Sequence, residues 1–226
     1  KLAFILKDND AVTLDVAYVK QENGQFDMQS NVYKFVRTPG KPWPLVDPEK
    51  FYRISEQSRA RFQNAGFLSD FALATEDLLR KFNYLGPLRE PPKRIYPWSG
   101  DMPEHVGYKG EFSIAAILAA QGENRQLNRG PSRKYQRFAE FISGWLKDLG
   151  IIHSFSVQPV AAGRKEYEVL VKTHKDASEV KITDVGFGVS QVLPALVEAF
   201  YCSANSVIWM EQPEIHLHPQ VQAELA

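Results

Sequence analysis

The stretch Ser206-Val-Ile-Trp-Met-Glu-Gln-Pro-Glu-Ile-His-Leu-His-Pro219 carries most of the information about the fold. Its four apolar residues at 207–210 predict a strand buried on both faces, as in the centre of a parallel sheet. Glu211 follows where this strand ends, and ligands of open α/β sheets bind at the carboxyl ends of strands. Glu211 is therefore a candidate to hold Mg²⁺ beside a phosphate. A buried strand that merely ends in an acidic residue is the alternative.

A second informative segment, Ile182-Thr-Asp-Val-Gly-Phe-Gly-Val-Ser-Gln191, precedes that strand by one apolar helix, predicted at about 189–202. Gly186 and Gly188 stand at the helix entrance, where residues without a Cβ let the backbone approach a ligand closely. A helix N-terminus offers unpaired N–H groups and a partial positive charge, both suited to a phosphate, and Ser190 adds a hydroxyl. The alternative is an ordinary strand-to-helix turn in which Ser190 is a helix cap.

The remaining chain alternates strand and helix patterns, which predicts an α/β or α+β fold. Strands are predicted at 12–19, 26–36, 151–160, 166–172 and 179–182. Helices are predicted at 68–82, 112–121 and 135–149, with a final one from about Pro219. The segments 38–48, 84–110 and 122–134 are predicted to be loops, because they are rich in proline, glycine or polar residues.

The composition excludes several classes of protein. With 226 residues, 44% of them hydrophobic, and 27 basic against 27 acidic residues, the chain is neither disordered nor globally basic. Cys202 is its one cysteine, so it is not a disulfide-stapled domain. The sequence has no apolar run long enough to span a membrane and no signal-peptide pattern. We therefore expect a reducing, cytoplasmic setting and no membrane partner.

Two basic stretches are candidates for contacts with nucleic acid or a partner. Arg89, Lys93 and Arg94 lie among prolines and aromatic residues, and arginines near aromatic rings can bind phosphates and stacked bases. Arg89 could contact nucleotide, DNA or a neighbouring subunit, and the sequence does not decide among them. The second stretch, which includes Arg125, Arg129, Arg133, Lys134 and Arg137, is better interpreted as a solvated loop.

The order of glycine turn, apolar helix and strand followed by Glu-Gln-Pro-Glu-Ile-His-Leu-His-Pro resembles the ABC-type ATPases of the SMC/RecF/OLD branch. It is most similar to a bacterial AAA-family group that has this Walker B sequence and a Tyr84-Leu-Gly-Pro-Leu-Arg89 segment. The resemblance covers about residues 83–226. It implies an ABC-ATPase-like α/β core fragment, all of it one ATPase domain. Its parts would be N-terminal antiparallel strands (1–44), a helical and loop insertion (45–150) and a lobe with the signature helix and Walker B strand (151–226).

The resemblance also implies roles for individual residues. Glu211 falls at the Walker B acid that holds Mg²⁺, and Gln212 falls where a glutamate usually polarises the attacking water. A glutamine can orient water but cannot act as a general base, so hydrolysis is slow or Glu214 or His216 acts instead. Gly188 matches the signature glycine, flanked by Gly186 and Ser190, that meets the γ-phosphate from the opposite subunit. His218 stands where the D-loop usually has an aspartate.

ATP and Mg²⁺ are accordingly the expected cofactors, with ATP held between two copies of the chain. We expect an ATP-binding and ATP-hydrolysing subunit that is DNA-associated or acts in anti-phage defence. The alternative is an ATP-gated binding or scaffold module with little hydrolysis that recruits an effector nuclease.

Two features of the sequence qualify this expectation. The P-loop pattern G-x-x-x-x-G-K-[ST] does not occur in it, so we expect a fragment of a longer ATPase that alone binds ATP poorly. A transition-metal site formed by His216 and His218 with Glu211 and Glu214 is a less favoured alternative, because Pro219 and the helix after it favour a turn.

Overall fold

The computed structural model describes residues 2–40, 43–214, 217, 219 and 222. The chain forms two compact units, Lys1–Arg80 and Lys81–Ala226. The boundary between them falls inside the segment 45–150, which the sequence assigned to a helical and loop insertion. The three-part division of the chain stays a prediction.

The first unit is a three-stranded antiparallel sheet with two helices. Its elements are β1 (Leu2–Asp8), β2 (Ala11–Lys20), β3 (Phe26–Gln29), α1 (Glu56–Arg59) and α2 (Phe67–Leu79), and β2 lies between β1 and β3. The expected N-terminal antiparallel strands are thus present, but the second one is shorter than predicted. It stops at Gln29 because Ser30 and the backbone N–H of Asn31 donate hydrogen bonds to the Asp15 carboxylate, which draws the chain out of the sheet.

The second unit mixes three longer helices with small sheets. Its elements are β4 (Phe82–Leu85), β5 (Tyr96–Pro97), α3 (Ser113–Gly122), β6 (Gln126–Leu127), β7 (Gln136–Arg137), α4 (Phe138–Asp148), β8 (Ser154–Pro159), β9 (Glu166–Lys172), β10 (Val180–Lys181), a 3-10 helix (Ile182–Asp184), α5 (Phe187–Tyr201) and β11 (Val207–Met210). The mixed α/β class is confirmed. No helix in the described part of the chain is long and apolar enough to cross a membrane.

The core of the second unit lies among α3, α4, α5 and the sheet that contains β8 and β9. Helix α4 shows why these residues form it: Phe138, Phe141, Ile142 and Leu146 recur at helical spacing and are all buried. The helix ends before Gly150, whose φ of 68° is a left-handed conformation that glycine adopts at low cost. Strand β9 occupies the predicted residues, and its antiparallel partner β8 is shorter than predicted.

Helix α5 contains Pro194 in its interior. Since proline has no N–H group, the helix lacks one of its own hydrogen bonds there. The loop before α3 approaches this proline closely. A Cβ built on Gly110, whose φ is 77°, would lie 2.4 Å from the Cβ of Pro194, so only glycine fits that position without rearrangement.

Strands β4 and β11 form a separate parallel pair in which Val207 lies opposite Phe82 and Met210 opposite Leu85. The strand at 207–210 was predicted, but its burial on both faces was wrong. Val207 and Trp209 are 47% and 67% exposed on one face, whereas on the other face Leu85 is buried in the core and the half-buried Met210 packs against it. The prediction failed because, among the described residues, core side chains pack against only one face of this pair.

Strand β4 itself was missed by the sequence analysis. The predicted helix ran to residue 82 and the predicted loop began at residue 84, whereas α2 stops at Leu79 and the next residues enter the parallel pair. The mistake has a physical reason: four residues are too few to show a period, and the strand that stabilises them lies more than 120 residues later.

Candidate functional site

Glu211 directly follows β11, and three of its groups are bound by the segment 84–89. Its backbone N–H donates to the carbonyl oxygen of Leu85 at 3.0 Å. Its carbonyl oxygen accepts a hydrogen bond from Nη2 of Arg89 at 3.0 Å. Its carboxylate Oε1 accepts one from the hydroxyl of Tyr84 at 2.7 Å. The structure therefore joins two sequence motifs that lie far apart in the chain.

Tyr84 is positioned by strand pairing on one side and by Tyr108 on the other. The two tyrosine rings have their centroids 5.1 Å apart. Gly86 makes this possible, since its N–H donates to the carbonyl oxygen of Tyr108 at 2.9 Å and a Cβ there would lie 3.2 Å from the Tyr108 ring. A side chain at residue 86 would push against Tyr108, and through it against the partner of Glu211.

The charges at this site affect both Tyr84 and Arg89. The hydrogen bond to the Glu211 carboxylate raises the pKa of Tyr84 to about 12, so its hydroxyl stays a donor over the physiological range. Arg89 is only 6% exposed, and this burial lowers its pKa. Its Nε and Nη1 have no hydrogen-bond partner among the described residues. In this structure Arg89 therefore binds the backbone carbonyl of Glu211 through Nη2, and its Nε and Nη1 remain available as donors.

The Glu211 side chain fits the expected Mg²⁺. It is exposed at the end of a parallel strand, and one carboxylate oxygen is oriented by Tyr84. Mg²⁺ keeps several of its waters and needs only one or two protein carboxylates, so a single accessible carboxylate is a suitable partner. The described residues contain no cluster of three or more metal-ligating side chains. His216, of the alternative transition-metal site, and His218, the predicted nucleotide contact, lie outside the described residues.

Gln212 adopts an unusual backbone conformation immediately after the site. Its φ is 47°, in the left-handed region that residues other than glycine rarely occupy, and its side chain is exposed. Such local strain is a reason to look for a function, because the surrounding structure has to maintain it. The catalytic role of Gln212 stays a prediction, and its positive φ is a structural observation consistent with a functional position.

The glycine-containing segment begins α5, as predicted. Gly186 is the exposed, extended residue before the helix, and Gly188 is half-buried in its first turn. Ser190 is only 6% exposed and lines a small cavity of about 30 Å³ together with Ile182 and Pro194. The roles of these three predicted residues as nucleotide contacts stay predictions.

The other two basic candidates of the first stretch lie in ion pairs at the surface. Nζ of Lys93 is 2.9 Å from a carboxylate oxygen of Glu90, and Nη2 of Arg94 is 3.4 Å from Oδ1 of Asp184. Exposed pairs of this kind contribute little to stability. A contact of either residue with nucleic acid or a partner stays a prediction.

Sequence reasoning missed a second carboxylate that the structure singles out. Glu198 on α5 is almost completely buried, and its Oε2 accepts the N–H of Val106 at 2.8 Å. Its Oε1 has no hydrogen-bond partner among the described residues, and burial raises its pKa. The available signal was a lone acidic residue inside the apolar run 192–200. A buried carboxyl group of this kind points to a structural role rather than to ligand binding.

Comparison with known proteins gives one match. The sequence model of the AAA ATPase domain family matches residues 111–226, a range that contains α3, α4, α5 and β11. The segment 84–89 precedes that range. No curated protein and no solved structure matches the chain. Because the match covers just over half of the chain and includes Glu211 and the segment 182–191, the chain belongs to the AAA ATPase domain family, which indicates ATP binding and hydrolysis in general.

Proposed function

We propose that this chain contributes the Walker B part of an ATP site, in which Glu211 holds Mg²⁺ through water. The observation that supports this most strongly is the set of three hydrogen bonds from residues 84–89 to the backbone and carboxylate of Glu211. A carboxylate fixed in this way keeps its orientation without being buried. Fixed charges placed where phosphate charge develops are the main means by which proteins accelerate phosphoryl transfer.

The other predicted residues take defined parts in this proposal. Bound Mg²⁺ supplies positive charge to the phosphate oxygens of ATP. Gln212 orients the attacking water by hydrogen bonding, and the N-terminus of α5, with Gly186, Gly188 and Ser190, faces the γ-phosphate of ATP held by a second copy of the chain. The resemblance, which puts His218 at the D-loop position, is the basis for proposing it at the same interface. A P-loop, on the same polypeptide or on another, completes the site.

The setting of this activity is proposed on weaker support. Association with DNA and a role in anti-phage defence rest on the resemblance to the SMC/RecF/OLD branch. Arg89 is bound to Glu211 in this structure, which leaves Lys93 and Arg94 as the surface candidates for such a contact.

The test is ATP turnover by the complete protein. We expect Glu211→Gln to lower turnover on the order of 100-fold, because a fixed charge is removed without a change of shape. Glu179→Gln is the matched control, since Glu179 is an exposed carboxylate outside the site. Equal turnover in the wild type and Glu211→Gln would refute the assignment.

Gly188→Asp tests the proposed second copy separately. The new carboxylate would face the γ-phosphate and repel it, so we expect loss of ATP-dependent dimerisation, measured by analytical ultracentrifugation. If Gly188→Asp still dimerises with ATP, Gly188 is not at the interface. This result would not affect the role proposed for Glu211.

Gln212 favours a second candidate function, in which ATP serves as a clamp with little hydrolysis that recruits an effector nuclease. If this is right, Gln212→Glu supplies a general base, raises turnover and shortens the lifetime of the ATP-bound dimer. Gln158→Glu makes the same change at an exposed position on β8 and should alter neither quantity. Unchanged turnover and an unchanged dimer lifetime in Gln212→Glu would refute this second candidate function.

A further inference from the structure

A basic cavity of about 650 Å³ lies between the loop joining β6 to β7 and the end of α4. Three cations line it, Arg129, Arg133 and Lys134, together with the side chains of Gln136, Trp145 and Asp148. None of these residues is among those bound to Glu211. The sequence alone favoured a solvated loop for the whole basic stretch, and the structure shows that this is incomplete.

Arg125 and Arg129 are built into the fold rather than solvated. The guanidinium of Arg125 donates to the carbonyl oxygens of Tyr201 and Phe200 at 2.7 and 2.8 Å, which satisfies the C-terminal end of α5. Arg129 lies 4.7 Å from the centre of the Trp145 ring and forms an ion pair with Asp148. These two residues therefore have structural partners already.

Helix α4 is shaped to accept Arg129. A Cβ built on Gly144 would lie 2.5 Å from Nη2 of Arg129, so a side chain at residue 144 would displace the guanidinium. Glycine inside a helix costs roughly 0.5–1 kcal/mol relative to alanine. The glycine leaves room for the guanidinium of Arg129 against the Trp145 ring. This contact fixes one wall of the cavity.

Arg133 and Lys134 differ from these arginines because their charges are uncompensated. Both side chains are exposed, and neither forms an ion pair or a side-chain hydrogen bond within the described part of the chain. The one carboxylate of the cavity, on Asp148, is already paired with Arg129. The cavity thus presents two free cations beside a fixed arginine.

We propose that this cavity binds neighbouring phosphate groups of a polyanion. Guanidinium groups match the oxygens of phosphate in a two-pronged geometry, and Gln136 adds a neutral donor. The volume lies in the range of sites for ligands much larger than a single phosphate ion, so more than one phosphate fits. Both a nucleic-acid strand and a free polyphosphate have this chemistry. The site is independent of the proposed nucleotide site.

The chain offers a matched control, because Arg-Lys also occurs outside the cavity. Arg133-Lys134 lines the cavity, whereas Arg164-Lys165 lies between β8 and β9, with Arg164 paired to Glu166 at 3.3 Å. Replacing either pair by alanine changes the net charge equally. Binding of a fluorescein-labelled dT12 strand, measured by anisotropy, and of inorganic pyrophosphate, measured by calorimetry, then compares the two places with the wild type.

We expect Arg133→Ala with Lys134→Ala to weaken binding of at least one probe about tenfold at 0.1 M salt, and Arg164→Ala with Lys165→Ala to change it less than twofold. For dT12, the slope of log affinity against log salt should also fall by roughly 1.4, that is 0.7 for each lost phosphate contact. Loss of dT12 binding alone identifies a strand, and loss of pyrophosphate binding identifies a free polyphosphate.

Three results would overturn the proposal: binding of neither probe, equal loss in both double variants, or displacement of dT12 by polyglutamate at equal charge concentration. The last would show that negative charge and not phosphate is recognised. All four substituted residues are exposed, so both variants should fold. Should either double alanine variant unfold, glutamine replaces alanine in both pairs. ATP turnover should be unchanged, which separates this proposal from the one on Glu211.

Discussion

The helical core of the second unit and its β4–β11 pair differ in how far they bury their apolar side chains. Between α3, α4 and α5, large side chains such as Phe138 and Ile142 are completely buried. In the parallel pair, Phe82 and Trp209 are more than half exposed on one face. The candidate site therefore lies on a part of the unit that packs against the core on one face only and whose two strands are joined by hydrogen bonds.

Two glutamates show the same contrast. Glu198 is buried in the core with one hydrogen bond to the backbone, and burial raises its pKa. Glu211 is exposed and held by three separate contacts from one segment. A carboxylate that is accessible and oriented is suited to a metal, whereas a buried one is suited to fixing a loop.

The largest effect should come from truncating a phenylalanine in the core. Phe138→Ala should destabilise the protein by about 3–5 kcal/mol, because it leaves a cavity in close-packed surroundings. Phe82→Ala, in the parallel pair, should cost less than about 1 kcal/mol. Urea unfolding measures both. Equal losses would mean that the outer face of the β4–β11 pair is covered in solution and that the contrast is wrong.

The next largest effect tests how tightly the core is packed around α5. Gly110→Ala forces a Cβ against Pro194, whereas Gly163→Ala, at nearly the same φ, meets nothing within 4 Å. Both variants bear the same backbone strain, so the difference between their unfolding free energies isolates the packing contribution, about 1–3 kcal/mol. If the two variants are equally destabilised, Gly110 is not required by the approach to Pro194.

The pH dependence of stability should distinguish Glu198. Since burial raises its folded pKa above the ordinary 4.5, its contribution is fully present below that pH and is lost as pH rises through the folded pKa. Glu198→Gln carries no such proton, so its stability relative to the wild type should increase as pH rises from 4.5 to 7.5. Unfolding at pH 4.5 and 7.5 measures this, and a constant difference would contradict it.

A smaller effect should follow from removing the Tyr84 hydroxyl. Tyr84→Phe should lower the free energy of unfolding only slightly, because it removes a single solvent-exposed hydrogen bond to the Glu211 carboxylate. With a raised pKa of about 12, the tyrosine stabilises the fold fully below pH 10 and loses that effect above it, so the cost should be equal at pH 7 and pH 9. Tyr135→Phe, at a tyrosine that is 67% exposed, is the control. A cost that disappears by pH 9 would contradict the bond to Glu211.

Much of the fold follows from local sequence patterns. Helices α3, α4 and α5 and strands β8, β9 and β11 were predicted within a few residues, because each repeats apolar residues at its own period or ends at a clear signal such as Gly150. The position of Glu211 at a strand end could also be predicted, since that inference needs only a short apolar run followed by an acid.

What could not be predicted depends on contacts between distant parts of the chain. No local pattern indicates that Tyr84 bonds to Glu211, because strand β4 is too short to show a period and its partner is encoded 122 residues or more away. The same holds for the wall of the basic cavity, where Gly144 makes room for an arginine from another segment. In both places the sequence shows the residue types and the structure shows their partners.

Binding of Mn²⁺, as a paramagnetic substitute for Mg²⁺, to the complete protein with ATP tests the central claim most directly. If Glu211 holds the metal, Glu211→Gln should weaken Mn²⁺ binding, measured by electron paramagnetic resonance, by at least about tenfold, and Glu179→Gln should leave it unchanged. Equal Mn²⁺ affinity in the wild type and Glu211→Gln would show that the metal of the ATP site is held elsewhere.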